Sequence, residues 1–370
     1  MYKNLKNTDV FKKRVLVRVD LNIPIGDNLK IDKSEIWRLE AIIPTLKYLI
    51  KQKSKIILIS HLGRPKEKKL SLKSVCNSLS KLLRKKISFS ETLNVKKTIE
   101  LMNFGDILLL ENIRFDSREE KNSDSLAKEL ADLADVFVNE AFSVSHREHA
   151  SIVGIPKYLD SCIGFLFEKE IDELNKVLKN FKRPLVAIIG GNKISTKIKV
   201  INKFLNISDK VLIGGALANT IFYSQGVDMG DSLVEKIDFN IDLDNKKLFL
   251  PQDFGIWDNN VVKYSDKVQG KALDIGPKSI DLFCSAIKSA KTIVWNGPLG
   301  LYTQKPFDKS SLEITKAIIK SKAYSVVGGG DTVEFLRKIK KDKKFNHIST
   351  GGGAMLNYLA NERLAGLDAL

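Results

Sequence analysis

Cysteine is scarce in this chain of 370 residues. The only three, Cys76, Cys162 and Cys284, are widely separated, and no CxxC pair occurs. An odd number of distant cysteines argues against a disulfide framework and against a cysteine-bound zinc ion. It favours a reducing compartment, so we expect a cytoplasmic protein.

Long apolar runs are also missing. No stretch approaches the roughly 18 consecutive apolar residues that a membrane-spanning helix needs. The first residues of the chain lack the apolar core of a secretory signal. Hydrophobic residues make up 43% of the chain and charged residues 28%, which is typical of a globular protein. The length predicts two domains, possibly three.

Acidic residues are outnumbered, with 44 Asp and Glu against 61 Lys and Arg, for a formal net charge of +17. Such an excess attracts nucleic acid or anionic lipid in principle. The lysines are nevertheless spread along the whole chain, without a block of five or six basic residues. We therefore expect neither a nucleic-acid partner nor a membrane partner. A basic binder of nucleic acid or membrane stays open as an alternative, supported by the net charge alone.

Short apolar runs alternate with stretches of helical spacing along the chain. The runs are 15–19, 55–60, 106–110, 135–138, 184–189, 210–214, 292–295 and 324–327. Near-continuous apolar strands alternating with helices predict parallel sheets that are covered on both faces. The predicted fold class is α/β, with two similar-sized, doubly wound, Rossmann-like domains. We place them at residues 1–167 and 184–350, joined by a long linking helix over 168–183.

The ends of the four strands predicted in the first half are rich in arginine and histidine. Ligands bind at the carboxyl ends of strands in open α/β sheets. The polar side chains that follow these strands are Asp20, Asn22, His61, Arg64, Arg114, His146 and Arg147. Any one of them alone is most simply an exposed loop residue. Together they predict a pocket for a small, strongly anionic molecule, because arginine presents a planar fork to carboxylate and phosphate.

Glycine-rich turns follow the strands predicted in the second half. They lie at 190–197, 214–220, 295–300, 328–332 and 347–354. Glycine lets the backbone approach a phosphate closely, and a following helix N-terminus favours the anion. Asp331 suits a magnesium ion carried mainly by phosphates and water. Lys193 and Lys197 are four residues apart and would share a helix face.

Glycine-rich turns are common in α/β folds, and two familiar nucleotide fingerprints are absent. The chain has neither a P-loop, GxxxxGK(S/T), nor a dinucleotide-binding GxGxxG. A nucleotide site here would be of another kind. Taken together, the halves predict one domain for a phosphorylated acid and one for a magnesium nucleotide. Closure of the domains would exclude water and allow a phosphoryl group to cross.

An ordered set of motifs resembles one family, the phosphoglycerate kinases, from about residue 10 to the end of the chain. The motifs are KRVLVRVDLNIP, SHLGRP, LLENIRF, VNEAFSVSHREHAS, AIIGGNKISTKI, ALDIGPKSI, TIVWNGPLG, VVGGGDTVEFL and HISTGGGA. The resemblance implies reversible transfer of the acyl phosphate of 1,3-bisphosphoglycerate to MgADP, giving 3-phosphoglycerate and MgATP. It also implies that the segment 351–370 returns to the N-terminal domain.

The resemblance carries residue roles onto matching positions of this chain. It implies a pocket for 3-phosphoglycerate or 1,3-bisphosphoglycerate at Asp20, Asn22, Arg38, His61, Arg64, Arg114 and Arg147. It implies ATP or ADP contacts at Gly190, Gly191, Lys193, Lys197, Gly214, Asn296, Pro298, Gly329, Gly330, Asp331 and Thr332, with Asp331 tied to Mg²⁺. The implied catalytic residues are Arg38 and Lys197, one from each domain, which would clamp the transferring phosphoryl group on closure.

The chemistry suits these residue types. A carboxylate attacks or leaves, and it is already ionised at neutral pH, so no general base is required. Catalysis then reduces to positioning and charge stabilisation. His61 and His146 are interpreted as hydrogen-bonding supports rather than acid–base catalysts.

Four positions depart from the family pattern. Thr303 stands where a ribose-binding Glu is usual, Glu140 where Asp is usual, Asn192 where a small residue is usual, and Asn357 where Glu is common. A ligand-binding paralogue with weak turnover is therefore an alternative to an active kinase. We expect a monomer, since domain closure needs free surfaces.

Overall fold

The computed structural model describes residues 2–26, 31–32, 35–63 and 70–370. The chain divides into two compact units. The first comprises Met1–Ile171 and Arg363–Leu370, and the second comprises Asp172–Glu362.

The first unit contains a sheet of six parallel strands in the order β3-β4-β2-β1-β5-β6. The strands are β1 Arg14–Arg18, β2 Lys55–Ile59, β3 Ser88–Ser90, β4 Ile107–Leu110, β5 Val136–Asn139 and β6 Asp160–Ile163. Alternate residues of the central strands enter different cores. Val15 and Val17 pack in one hydrophobic cluster and Leu16 in another. Both faces of the sheet are therefore covered, as the continuous apolar runs predict.

Helices cover both faces of this sheet. They are α1 Trp37–Lys51, α2 Lys73–Leu83, α3 Lys96–Leu101 and α4 Asp124–Ala131. Each places apolar residues at helical spacing against the sheet, such as Leu39, Ile42, Leu46 and Leu49 of α1, all of which are buried.

The helix between the two series of strands is α5, Phe165–Leu178. It begins before the predicted start at residue 168 and ends well before 183. Its last turn is closed by N–H groups of Lys179 and Asn180, which both donate to the carbonyl of Asn175. Pro184 follows, and the residue before a proline is driven into extended backbone. The helical spacing read across 168–183 therefore overran the true end.

The second unit contains a parallel sheet in the order β15-β14-β13-β7-β8-β9. Its strands are β7 Leu185–Ile189, β8 Lys210–Ile213, β9 Leu248–Phe249, β13 Thr292–Asn296, β14 Tyr324–Gly328 and β15 His347–Ile348. The order is that of a Rossmann sheet, with its reversal between β7 and β13. All eight strands predicted from apolar runs are present in the two units, and the predicted fold class is confirmed.

A second sheet in this unit was not predicted. Three antiparallel strands, β10 Phe254–Asp258, β11 Val261–Ser265 and β12 Lys271–Ile275, pair in the order β11-β10-β12. The helices of the unit are α6 Ile198–Ile207, α7 Ala216–Ser224, α8 Pro277–Lys288, α9 Lys309–Ser321, α10 Gly330–Lys338 and α11 Gly353–Leu359. None of the helices in the described ranges is long and apolar enough to cross a membrane.

The C-terminal segment is shared between the units. α11 belongs to the second unit, whereas Arg363–Leu370 belongs to the first. There the short helix α12, Ala365–Asp368, lies against the end of β5. The N–H of Gly366 donates to the carbonyl of Ser145 at 2.8 Å, and its carbonyl accepts from Asn139 at 3.2 Å.

Candidate active site

Polar side chains gather at the carboxyl ends of the strands of the first unit. Asp20, just after β1, accepts a hydrogen bond from the hydroxyl of Ser143 and another from the N–H of Asn22 at 3.1 Å. Nη1 of Arg38 lies 3.6 Å from its Oδ2. Burial acts to raise the pKa of Asp20, but the charge of Arg38 and these hydrogen bonds hold it below its usual value. Asp20 is therefore ionised at neutral pH.

His61, directly after β2, is only 2% exposed. Its Nδ1 lies 3.3 Å from Nη2 of Arg18. A guanidinium group can only donate, so Nδ1 accepts and the ring proton resides on Nε2. Burial lowers the pKa of His61 to about 3; Asp20 opposes this shift, and the nearby arginines reinforce it. His61 is thus a neutral imidazole whose Nε2–H is available as a donor.

Arg18 is a residue that the sequence analysis missed. It is the last residue of β1 and is almost fully buried. Its Nε donates to Ser151 at 2.9 Å, and Ser151 in turn donates to the buried carboxylate of Glu119 at 2.5 Å. The signal was present, because an arginine inside an otherwise apolar strand is seldom buried without a partner.

Two further arginines predicted for this pocket lie in the same unit. Nη1 of Arg114 donates to the carbonyl of Gly63, and its Nε lies 3.3 Å from Glu120. Gly63 itself donates to Asn22 at 2.8 Å, which ties the loops after β1 and β2 together. Nε of Arg147 lies 3.4 Å from Nε2 of His146.

The last two predicted arginines are placed differently. Arg38, near the start of α1, pairs with Glu35 at 2.7 Å and lies 4.6 Å from the ring centroid of Trp37. Its side chain remains 23% exposed, so it can still reach a ligand. Arg64 lies outside the described residues. The described side chains form a cationic pocket at the strand ends that suits an anion with several oxygens.

The second unit has a cleft of about 300 Å³ at the reversal of its strand order. The loops after β7 and β13 meet there: the N–H of Gly190 donates to Asn296 and that of Gly191 to Pro298, both at 2.9 Å. A Cβ on Gly190 would collide with the carbonyl of Pro298. Ligands of open α/β sheets bind at this type of crevice.

Lys197 is buried beside these loops, and its ammonium group donates to the carbonyl of Gly190. Burial lowers its pKa to about 8, while the charge of Asp331 acts in the opposite direction. A lysine whose pKa lies this close to neutral pH is strongly perturbed by its surroundings, and such groups concentrate at functional sites.

The prediction that Lys193 and Lys197 share a helix face is wrong. Helix α6 begins only at Ile198, and the segment before it is a turn in which Lys193 is exposed. Glu235, distant in sequence, accepts from the N–H and the hydroxyl of Ser195 at 2.9 and 2.8 Å. These bonds stabilise the turn against continuation of the helix.

The N-terminus of α10 borders the same cleft. Gly329 has φ of +90°, which L side chains rarely adopt, and it turns the chain into the helix at Gly330. Asp331 lines the cleft from the first turn. Thr332 is buried and accepts from the N–H of Gly297 at 2.9 Å, which connects α10 to the loop after β13.

The other residues predicted to bind the nucleotide differ in whether they line the cleft. Pro298, Thr303, Asn192 and Gly191 line the cleft with Asp331. Asn296 is buried beneath it. Gly214 lies behind it, where a Cβ would press on Leu299.

Two ionisable cleft residues were missed, Tyr302 and Asp274. Asp274 is buried and accepts from the N–H groups of Ser310 at 3.1 Å and Ile275 at 2.9 Å. Burial raises its pKa to about 7. Its only sequence signal was its place in the ALDIGP motif.

Magnesium was expected at Asp331. Within the described residues, no cluster of three or more His, Cys, Asp or Glu side chains is placed to hold a metal ion. A single carboxylate at the cleft edge fits an ion that is carried by nucleotide phosphates and water rather than by a protein cage.

Comparison with known proteins gives one family. The sequence model described as Phosphoglycerate kinase matches residues 5–362. The chain is 42% identical to the phosphoglycerate kinase of Finegoldia magna, covering 100% of this chain and 98% of that protein. It is 44% identical to that of Leptospira biflexa, covering 99% and 97%.

Solved structures agree with the sequence comparison. The structure of phosphoglycerate kinase from Coxiella burnetii superposes with a TM-score of 0.85 at 34% identity, covering 100% of this chain and 98% of the other. That from Pyrococcus horikoshii gives 0.86 at 30% identity with the same coverage.

Proposed function

The chain belongs to the phosphoglycerate kinase family, and we propose that its first unit holds the phosphoglycerate and its second unit the nucleotide. The activity is reversible transfer of the acyl phosphate of 1,3-bisphosphoglycerate to ADP, which makes the enzyme a phosphotransferase. The observation that supports the division is the difference between the two sites. One is a cationic pocket at strand ends, and the other is a glycine-walled cleft with one buried lysine.

In the first unit, the pocket would hold 3-phosphoglycerate by charge and by directed donors. Arg38, Arg114 and Arg147 supply cationic forks, and the Nε2–H of His61 supplies a neutral donor. Asp20 would orient Arg38 and accept from the substrate hydroxyl. Because the pKa of His61 is about 3, it is an uncharged donor across the physiological range.

In the second unit, the cleft would hold ATP or ADP with its phosphates toward Gly190, Gly191 and the N-terminus of α10. Asp331 would be the protein ligand of the magnesium ion. When bound, that ion neutralises charge on the phosphates. Lys197 would donate to the transferring phosphoryl group, leaving its present partner, the carbonyl of Gly190.

The chemical step would need no proton transfer, since the carboxylate of 3-phosphoglycerate is ionised at neutral pH. Arg38 and Lys197 would stabilise charge on the phosphoryl group as it passes in line between the two oxygens. We further infer a cytoplasmic location from the few, widely spaced cysteines, and no nucleic-acid or membrane partner from the dispersed lysines. A monomer is inferred because domain closure needs free surfaces.

A coupled assay tests the activity directly. Purified protein is mixed with MgATP and 3-phosphoglycerate, and glyceraldehyde-phosphate dehydrogenase with NADH reports the product. Turnover of tens to hundreds per second is expected, within the usual range of kinases and enzymes generally. Absence of turnover, with 3-phosphoglycerate still bound, would favour the ligand-binding paralogue.

The division between the units has its own test. Isothermal titration of Arg114→Ala should show weaker 3-phosphoglycerate binding and unchanged MgADP binding. Asp331→Ala should show the reverse pattern. Loss of both ligands in either variant would contradict separate sites.

A further inference from the structure

Glu140 is buried in the first unit, directly after the end of β5. Its carboxylate accepts from the hydroxyl of Thr45 on α1. It also accepts from the N–H groups of Leu166, at 3.1 Å, and Phe167, at 3.5 Å, in the first turn of α5. One side chain thus connects three elements of the unit.

The N-terminus of α5 holds this carboxylate in place. Burial raises the pKa of Glu140 to about 7, and the hydrogen bonds from Thr45 and from the first turn of α5 oppose that shift. Gly164, just before the helix, leaves the necessary space, because a Cβ there would collide with the Glu140 carboxylate. The carboxylate is therefore fixed on one side. On the other side, the hydroxyl of Thr45 donates to it and accepts from the N–H of Phe165 at 3.2 Å, so Thr45 is tied to the carboxylate and to the start of α5.

Thr45 lies on the helix that carries Arg38. The two are seven residues apart, which is two turns on the same face and about 10 Å along the axis. Between them stands Pro44, which has no N–H to donate to the carbonyl of Glu40. The helix nevertheless continues through the proline over Trp37–Lys51, so a shift at Thr45 is carried to the turn that holds Arg38.

A second anchor reaches Arg38 from the same loop. Ser143, three residues after Glu140, donates to Asp20, and Asp20 lies 3.6 Å from Arg38. The segment 140–143 therefore constrains Arg38 twice, once through its own ion pair and once through its helix. We propose that Glu140 is a positioning residue that fixes α1, and with it Arg38, for phosphoryl transfer. This rests on the role of Arg38 in the proposed function.

The test uses the full-length enzyme and measures kcat and KM for both substrates. Glu140→Gln and Thr45→Val should each lower kcat roughly tenfold, since small misplacements of a positioned group cost rate. KM for MgATP should change less than about twofold, because its site is in the other unit. Thr45→Ser keeps the hydroxyl and should retain the wild-type kcat.

Combining the substitutions with Arg38→Ala distinguishes a positioning role from a general loss of structure. In an Arg38→Ala background, Glu140→Gln should lower kcat no further, because its target is gone. Thr315→Val, which removes another buried threonine hydroxyl on α9, is the matched control and should keep kcat. An equal fall in both backgrounds, or loss of kcat in Thr45→Ser, would overturn the proposal.

The same data separate this proposal from the proposed function. A wild-type enzyme without turnover refutes the function itself. A wild-type enzyme with full turnover and an Arg38→Ala variant of near-normal kcat refutes the role of Arg38, and the positioning proposal with it, while the function stands.

Discussion

The buried ammonium group of Lys197 should cost the free enzyme stability, and replacing it with methionine tests this. Its pKa is about 8, against an ordinary value of 10.5. The difference corresponds to about 3 kcal/mol at pH values below 8, at 1.36 kcal/mol for each pKa unit. Met is similar in length and carries no charge. Losing the hydrogen bond to Gly190 offsets about 1 kcal/mol of this gain. The free energy of unfolding of Lys197→Met should therefore be about 2 kcal/mol higher than that of the wild type at pH 7.

The sign of the pH dependence follows from the direction of the shift. Between pH 8 and 10.5, the unfolded state keeps the lysine proton while the folded state releases it. Wild-type stability should therefore gain from this group as the pH rises through that interval, and the advantage of the variant should shrink. Urea unfolding of both proteins at pH 7 and pH 10 measures the two differences.

The turnover of the Lys197→Met variant should fall although its stability rises. Lys197→Met should lower kcat at least ~10²-fold, through lost stabilisation of charge in the transition state. Lys199→Met is the matched control: Lys199 is exposed and pairs with Glu362, so its loss should change stability by less than about 1 kcal/mol. A Lys197→Met variant that is less stable than wild type at pH 7, or a stability difference independent of pH, would refute the reasoning.

Three other predictions follow from the two sites. Arg38→Ala should lower kcat at least ~10²-fold with an unchanged circular dichroism spectrum, and near-normal turnover would remove Arg38 from the mechanism. Thr303→Glu should tighten MgADP binding by about 1–2 kcal/mol in a calorimetric titration, since a carboxylate accepts hydrogen bonds more strongly than a hydroxyl; unchanged affinity would assign the ribose to another cleft residue. The imidazole of His61 should not titrate between pH 5 and 8 by NMR, because its pKa is about 3. Wild-type stability should fall as the pH falls from 6.5 towards 3, because the unfolded state then binds a proton at His61 that the folded state does not. A midpoint near 6.5 would show that His61 is not buried as described.

The parallel sheets could be predicted from the sequence because their strands are buried on both faces. A run such as 55–60 is almost entirely apolar, and a continuous apolar run of that length is typical of a parallel strand buried on both faces. The antiparallel sheet could not, because β11 is largely exposed and its sequence, VVKYS, is not the continuous apolar run that marks a strand buried on both faces. The edge strands β9 and β15 have two residues each, too few to show any period.

The first pocket was more predictable than the cleft for a related reason. Strand ends and arginines are local features, so the positions of Asp20 and His61 follow from the order of strands. The turn before α6 depends instead on Glu235, which is far away in the chain. The tautomer of His61 likewise depends on Arg18, whose role only the folded strand pairing discloses.

Glu140 shows why a departure from a family pattern needs its structural context. On the sequence alone, Glu140, Asn192 and Thr303 are all departures from the family pattern. Two of them line the cleft, whereas Glu140 contacts α1 and α5. Substitution at the cleft positions should alter KM for the nucleotide, because a residue that lined the bound nucleotide would contact it equally before and during transfer. Substitution at Glu140 should alter kcat, because it changes the geometry in which Arg38 meets the phosphoryl group. Departures from one family pattern therefore predict different kinetic signatures, and the place of each residue in the fold decides which parameter changes.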